Sequence, residues 1–300
     1  MTKDKKSKFG FSLIELSIVI LVIGILVIGI SQGSRIMSEA RLKSARSLSH
    51  SSPVNSIEGL GFWLDATDSS NIAVGSAGFG AYGAKGDNEM VTEWRSRNIG
   101  SNIILTATDD SKRPTYISNS INGLPSLRFT SGNTLSSTAA INSLELINNN
   151  QNTTFAVFHF NSIITGANCL FVFQSSSSNR IANLLSAANP GAIRFDYGTG
   201  GVGGIANGVT NVIDRNYIMT SDKNVTTHTI YLNGTSDVSR TNSDTITPFS
   251  ATFYLGSYLG TANYINANLA ELIIFKRALK TNERNAVEEY LGQKWGIKIN

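Results

Sequence analysis

The sequence predicts a mainly β protein, an antiparallel sandwich, with one long apolar helix ahead of it and one short helix closing the chain. Three observations carry that expectation. The stretch Phe11 to Ile30 holds a single charge, Glu15. From Ile57 onward, short runs rich in β-branched and aromatic residues alternate with Gly, Asn and Ser turns. Near the end, Val287, Tyr290 and Leu291 fall at helical spacing behind Thr281 and Glu283. Strands in succession with no helix between them favour a sandwich over a parallel sheet.

The first element is a basic leader, Lys3, Lys5, Lys6 and Lys8 opposed by Asp4, ending at Gly10. A helix over 11–30 is about 30 Å long, the thickness of a bilayer's hydrocarbon core. The run is too long for a secretory signal and leads into further helical pattern. Glu15 is the anomaly, because a carboxylate facing lipid costs roughly several kcal/mol unless paired or near the interface. A cut after Gly10 would place the new Phe11 amine one helical turn from it; the alternative is an uncleaved single-pass anchor whose Glu15 reaches the headgroups. Flanking charges leave orientation open, since Arg35, Arg41, Lys43 and Arg46 balance the leader lysines.

Past the span, Arg35, Glu39, Lys43 and Arg46 share one helix side, and Met37, Ala40, Ser44, Ala45 and Leu48 lie opposite, a face able to rest on a domain. Gly24, Gly29 and Gly33 are where the helix bends most easily. His50-Ser51-Ser52-Pro53 ends it, because the residue before proline disfavours α geometry. The expected organisation is therefore a leader at 1–10, a helix at 11–50, a linker at 51–56 and a β domain at 57–300.

Within that domain, strands are expected at 61–65, 91–95, 102–106, 126–130, 153–160, 169–174, 181–185, 192–197, 216–220, 227–232, 252–256 and 268–275. Phe155–Phe160, apolar on both faces, reads as a central strand. Ile193, Phe195 and Tyr197 alternate with Arg194 and Asp196, as in a half-buried strand. Asn233-Gly234 suits a type I′ hairpin turn. Thr281 is the expected cap of a last helix running to about Lys294, with Glu283 at its positive end.

The order Lys8-Phe9-Gly10-Phe11-Ser12-Leu13-Ile14-Glu15 resembles the N-terminus of type IV prepilins and type II secretion pseudopilins. The resemblance implies cleavage after Gly10 by a prepilin peptidase, methylation of Phe11, and Glu15 serving assembly with other pilin subunits. It also implies a place in the bacterial inner membrane, in contact with its lipid, with the body in the periplasm, or outside the cell once assembled. Gly59–Ala66, Val91–Arg95, Arg113–Tyr116, Asn122–Phe129, Leu269–Leu279 and Lys294–Ile297 in turn resemble bacterial laminin-G-like, concanavalin A-like jelly-roll domains. That resemblance spans about 57 to 300 and implies a jelly-roll fold, which hosts lectins, hydrolases and spacers alike.

Composition narrows the chemistry. Removing residues 1–10 lowers the formal charge from +4 to +1, which leaves little footprint for nucleic acid. The lone Cys169, inside an apolar strand, reads as a buried, inert thiol. Gly78–Gly83 and Gly198–Gly203 match GxGxxG but open no helix, so they read as loops. His50, His159 and His228 stand apart with no metal-ligand spacing. No stretch matches the Glu-x-Asp-x-x-Glu of jelly-roll glucanases, and Asp65, Asp68, Asp109, Asp110, Glu89 and Glu93 read as solvated, so no enzyme and no catalytic residue is expected. No cofactor is expected either; calcium would need Asp65, Asp68 and Asn268 gathered at the rim. Tyr254, Tyr258, Tyr264 and Asn266 cluster around one loop, where aromatic faces and amides suit a hexose ring, and they are the candidate glycan contacts. The alternative is a surface loop with its tyrosines tucked into the sandwich.

Together these features point to a minor or tip pilin-like subunit presenting a lectin-like sandwich to a glycan or a surface protein. A secretion pseudopilin contacting cargo, a membrane-tethered carbohydrate-active enzyme and a DNA-uptake pilin are the alternatives.

Overall fold

The computed structural model describes residues 12–76, 80–83, 86–98, 100–164, 168–198 and 204–300. Gly10, Phe11, Gly78, Phe79 and residues 199–203 lie outside them; within the first glycine-rich stretch, read as a loop, Ala81–Tyr82 is a short strand. The chain divides into two compact units, Met1–Lys43 and Ser44–Asn300.

In the first unit, helix α1 (Leu13–His50) begins; its last residues, from Ser44, belong to the second. By length and composition α1 can cross a membrane. Its apolar side chains from Leu13 to Ile30 are exposed, a surface that demands lipid or a partner helix. The expected turn-spaced ion pair forms, Arg35 Nε to Glu39 Oε1 at 3.0 Å. The helix runs unbroken through Gly24, Gly29 and Gly33 and stops at His50, as Pro53 requires.

The second unit is a sandwich of two antiparallel layers. The first layer runs Thr235–Thr241, Thr227–Leu232, Asn216–Asn224, Asn152–Ser162 and Asn266–Phe275. Leu60–Asp65 then pairs with the second half of Asn266–Phe275, and Leu124–Phe129, followed by Thr115–Ile121, with the first half. The second layer runs Ile205–Asn207, Ile193–Tyr197, Asn179–Leu185, Cys169–Ser176, Phe253–Leu255, Leu135–Ser137, Ile104–Thr106, Glu89–Arg95, Ile72–Val74 and Ala81–Tyr82. Strand Glu89–Arg95 joins the layers, because its first two residues pair with Tyr116 and Thr115 of the first one.

Alternation fixes two cores. Along Asn152–Ser162, Ala156, Phe158 and Phe160 point between the layers, beside Phe62, Leu64, Trp94, Phe171, Phe195 and Phe253. Phe155 and Val157 point the other way and meet Trp63, Ile273, Tyr290, Leu291 and Trp295, under helix α2 (Thr281–Trp295). The central-strand expectation therefore holds. Ala45 and Leu48, the last turns of α1, pack on this second core.

Every expected strand is present, but several ordered stretches were not anticipated. Thr235–Thr241 completes the Asn233-Gly234 hairpin, whose φ values of 49° and 83° are those of a type I′ turn. Thr115–Ile121 and Leu135–Ser137 were also missed. Asp196 does not face water; it is buried, bonded to Arg180 at 2.7 Å and Arg194 at 2.5 Å. Thr281 is not the cap of α2 but its first residue, and the Lys280 N–H donates to Glu283 Oε2 at 2.8 Å.

Candidate functional site

Strand Phe253–Leu255 turns Phe253 and Leu255 into the core and Tyr254 outward, directly opposite Ser136. The loop that follows folds back over this face, where Tyr254, Tyr258 and Leu259 cover Val172, Ala182 and Leu184. Hydroxyls hold the loop. Thr134 Oγ1 lies 3.1 Å from Leu255 O and 2.7 Å from Ser257 Oγ, which accepts the Gly260 N–H at 3.1 Å. Tyr264 OH donates to Gly260 O at 3.0 Å and accepts from Lys112 Nζ at 2.9 Å. Gly260, at φ 76°, is needed there: a Cβ would stand 3.0 Å from the Tyr254 ring.

The result is a cleft of about 450 Å³ lined by Thr108, Lys112, Ser136, Tyr254, Thr261 and Tyr264, among others. Its size suits a small ligand. Of the four candidate contacts, the structure brings Tyr254 and Tyr264 together in this cleft. Tyr258 instead donates to Gln174 Oε1 at 2.8 Å, and Asn266 bonds Ser162 at 2.8 Å and Asn161 at 3.2 Å. Lys112 and Thr108 were missed, being some 150 residues from the tyrosines: Lys112 and Tyr264 are 152 positions apart.

A second polar cluster is sealed. Asp65 and Glu271 are direct partners on paired strands and each is 1% exposed. Glu271 accepts from Trp63 Nε1 and Tyr290 OH at 2.8 Å, and from Trp295 Nε1 and Lys294 Nζ at 2.7 Å. Asp65 takes Lys294 at 2.8 Å, Arg97 at 3.2 Å, Ser49 at 2.9 Å and Thr67 through both its N–H and its hydroxyl. Burial pushes Glu271 above the ordinary carboxylate value, only partly offset by Lys294. Burial acts on Asp65 in the same sense, but Lys294, Thr67 and Arg97 together hold it below 3.8. The expectation that Asp65 is solvated is thus corrected.

Of the three residues considered for calcium, Asp65 and Asp68 share Arg97 Nη1, 3.2 Å from each, whereas Asn268 accepts from Arg128 at 3.0 Å. Cys169 is buried, and its thiol is raised well above 9.0 by desolvation. His228 is buried and lowered to about 4, chiefly by desolvation. At the N-terminus, Glu15 Oε2 accepts the Ser12 N–H at 2.8 Å.

Residues 5–31 match the family model described as the prokaryotic N-terminal methylation motif. No curated protein sequence matches the chain. Among solved structures, a GH54 α-L-arabinofuranosidase soaked with a cyclic sulfate inhibitor aligns at 13% identity and TM-score 0.55, over 78% of this chain and 63% of that one. Trypanosoma rangeli sialidase aligns at 12% identity and TM-score 0.48, over 81% of this chain and 34% of that one. The chain therefore spans about a third of the sialidase, and the arabinofuranosidase likeness shows the fold alone.

The arabinofuranosidase corrects the expectation that the chain is not an enzyme, because an enzyme is built on this fold and the fold therefore excludes none. The missing Glu-x-Asp-x-x-Glu tested one arrangement on one strand. Spacing cannot see acids gathered by distant strands, as Asp65 and Glu271 are. The N-terminus carries a prepilin-type methylation motif on an apolar helix, and the rest of the chain is a β-sandwich of a kind also found in glycosidases.

Proposed function

We propose that this chain is a pilin-like subunit, minor or at the tip, of a type IV pilus or related filament. Residues 11–30 hold it in the bacterial inner membrane, with the sandwich in the periplasm until assembly. A prepilin peptidase cuts after Gly10, Phe11 is methylated, and Glu15 meets the terminal amine of a neighbouring subunit. The domains act as a leader at 1–10, an anchoring and assembly helix at 11–50, a linker at 51–56 and a displayed body at 57–300. The body engages a glycan through the cleft holding Tyr254 and Tyr264.

The observation that carries this reading is the methylation motif over residues 5–31, set on a helix whose apolar side chains are exposed. Such a surface is stable in lipid or against other helices, and Glu15 gives it one charge for registering neighbours. The test is Glu15→Leu expressed in the native host. The variant should be processed normally and stay in the membrane, and should fall at least about tenfold in the sheared surface fraction on immunoblots. Equal amounts of variant and parent in that fraction would refute an assembly role.

A further inference from the structure

Resting on the glycan reading just given, we propose that the Tyr254–Tyr264 cleft takes a carboxylate-bearing sugar, with Lys112 as the group that reads the acid.

Among the described residues, three lysines of the sandwich lie over tyrosine rings, and they are completed differently. Lys294 Nζ, 5.7 Å from the Tyr290 ring centre, has two carboxylates. Lys223 Nζ, 5.0 Å from that of Tyr197, donates to Val225 O at 2.6 Å and Asn242 O at 3.0 Å. Lys112 Nζ, 5.1 Å from that of Tyr264, donates to the Tyr264 hydroxyl, and among the described residues it forms no ion pair. An ammonium has three N–H donors. One is taken by Tyr264, which leaves two on a side chain that lines the cleft. Asp109, close enough to feel the charge, is exposed and has one oxygen bonded to the Ser111 N–H at 2.9 Å and hydroxyl at 2.5 Å.

The rest of the lining agrees. No carboxylate lines the cleft among the described residues, so its charged group is a cation. Thr108, Ser136 and Thr261 supply hydroxyls, which both donate and accept, and Tyr254 supplies a partly exposed ring for a sugar face. Neutral sugars satisfy the hydroxyls and the ring but leave the ammonium facing water. An acid sugar satisfies all three, and a charge-assisted bond is about twice as strong as a neutral one.

The experiment uses the full chain in detergent micelles, titrated with paired oligosaccharides that differ only in the carboxyl: trigalacturonate against galactotriose, and oligoglucuronate against its glucose counterpart. Sulfated galactotriose and inorganic phosphate are added as separate arms. The expected result is that at least one acid member binds about tenfold tighter than its neutral partner. Lys112→Met should erase that preference and Lys112→Arg retain it, with both variants giving the parent's circular dichroism. Equal binding of acid and neutral members, unmoved by Lys112→Met, would overturn the acid selection and leave the glycan reading standing. Tighter binding of the sulfated sugar, or competition by phosphate at the same concentration, would overturn the carboxylate as the group read. Binding of no sugar in any pair would overturn both readings.

Discussion

Two lysines, each over a tyrosine ring, mark opposite extremes of the same sandwich. Lys294 is fully buried, clamped between Asp65 at 2.8 Å and Glu271 at 2.7 Å, with two tryptophan N–H groups finishing the cluster. Lys112 sits at the rim of a cleft with one tyrosine hydroxyl as its partner. The side chain and its aromatic neighbour are alike; what differs is whether the fold supplies counter-charge. Where it does, the lysine ties α2 to the first sheet and, through Ser49, to the end of α1. Where the nearest carboxylate is the exposed Asp109, turned to Ser111, the lysine forms no ion pair among the described residues.

The sharpest way to break this comparison is to remove each ammonium in turn. Lys294→Met leaves Glu271 without its cation and Asp65 with Arg97 alone, and should cost about 3–5 kcal/mol in urea titrations followed by the fluorescence of Trp63 and Trp295. A loss below about 1 kcal/mol would mean the cluster does not hold the two elements together.

Between the extremes lies the part-exposed Arg277–Glu283 pair, with a bidentate contact at 2.7 and 2.9 Å and the Lys280 N–H on the same carboxylate. Chiefly through Arg277, the Glu283 carboxyl is held down at about 2, against an ordinary 4.5. A carboxylate depressed in the folded state adds stability that is present above its unfolded pKa and lost as pH falls through the folded value. Glu283→Gln should therefore lower stability by about 0.5–1 kcal/mol at neutral pH, and the deficit should shrink as pH drops from about 4.5 toward about 2. A deficit independent of pH would contradict that account. The smallest effect belongs to Lys112→Met, which breaks one part-buried hydrogen bond and should move stability by no more than about 0.5 kcal/mol. A larger loss would make Lys112 structural and undo the contrast.

What the sequence disclosed follows the range of the interactions involved. Helix α1 was legible because length, composition and Pro53 act locally. Phe155–Phe160 was legible because a strand buried on both faces needs apolar residues at every position, and Asn233-Gly234 because its turn is set by two φ angles. Asp65, Glu271 and Lys294 were not, because each looks like a solvated charge until strands 200 positions apart pair: Trp63 and Glu271 are 208 residues apart. The cleft was half legible. Tyr254 and Tyr264 flank one loop, but Ser136 reaches it only because Leu135–Ser137 pairs with Phe253–Leu255, and Lys112 because its carbonyl accepts the Thr134 N–H beside that strand. Tyr258 and Asn266, equally eligible by type, were drawn off by Gln174 and Ser162.

The central claim, that this sandwich is carried by a processed pilin-type helix, is tested most directly by mass spectrometry of the protein recovered from its native host. The account predicts a mature chain that begins at Phe11 with a methylated amine. A chain beginning at Met1, with Lys3, Lys5, Lys6 and Lys8 still attached, would contradict it.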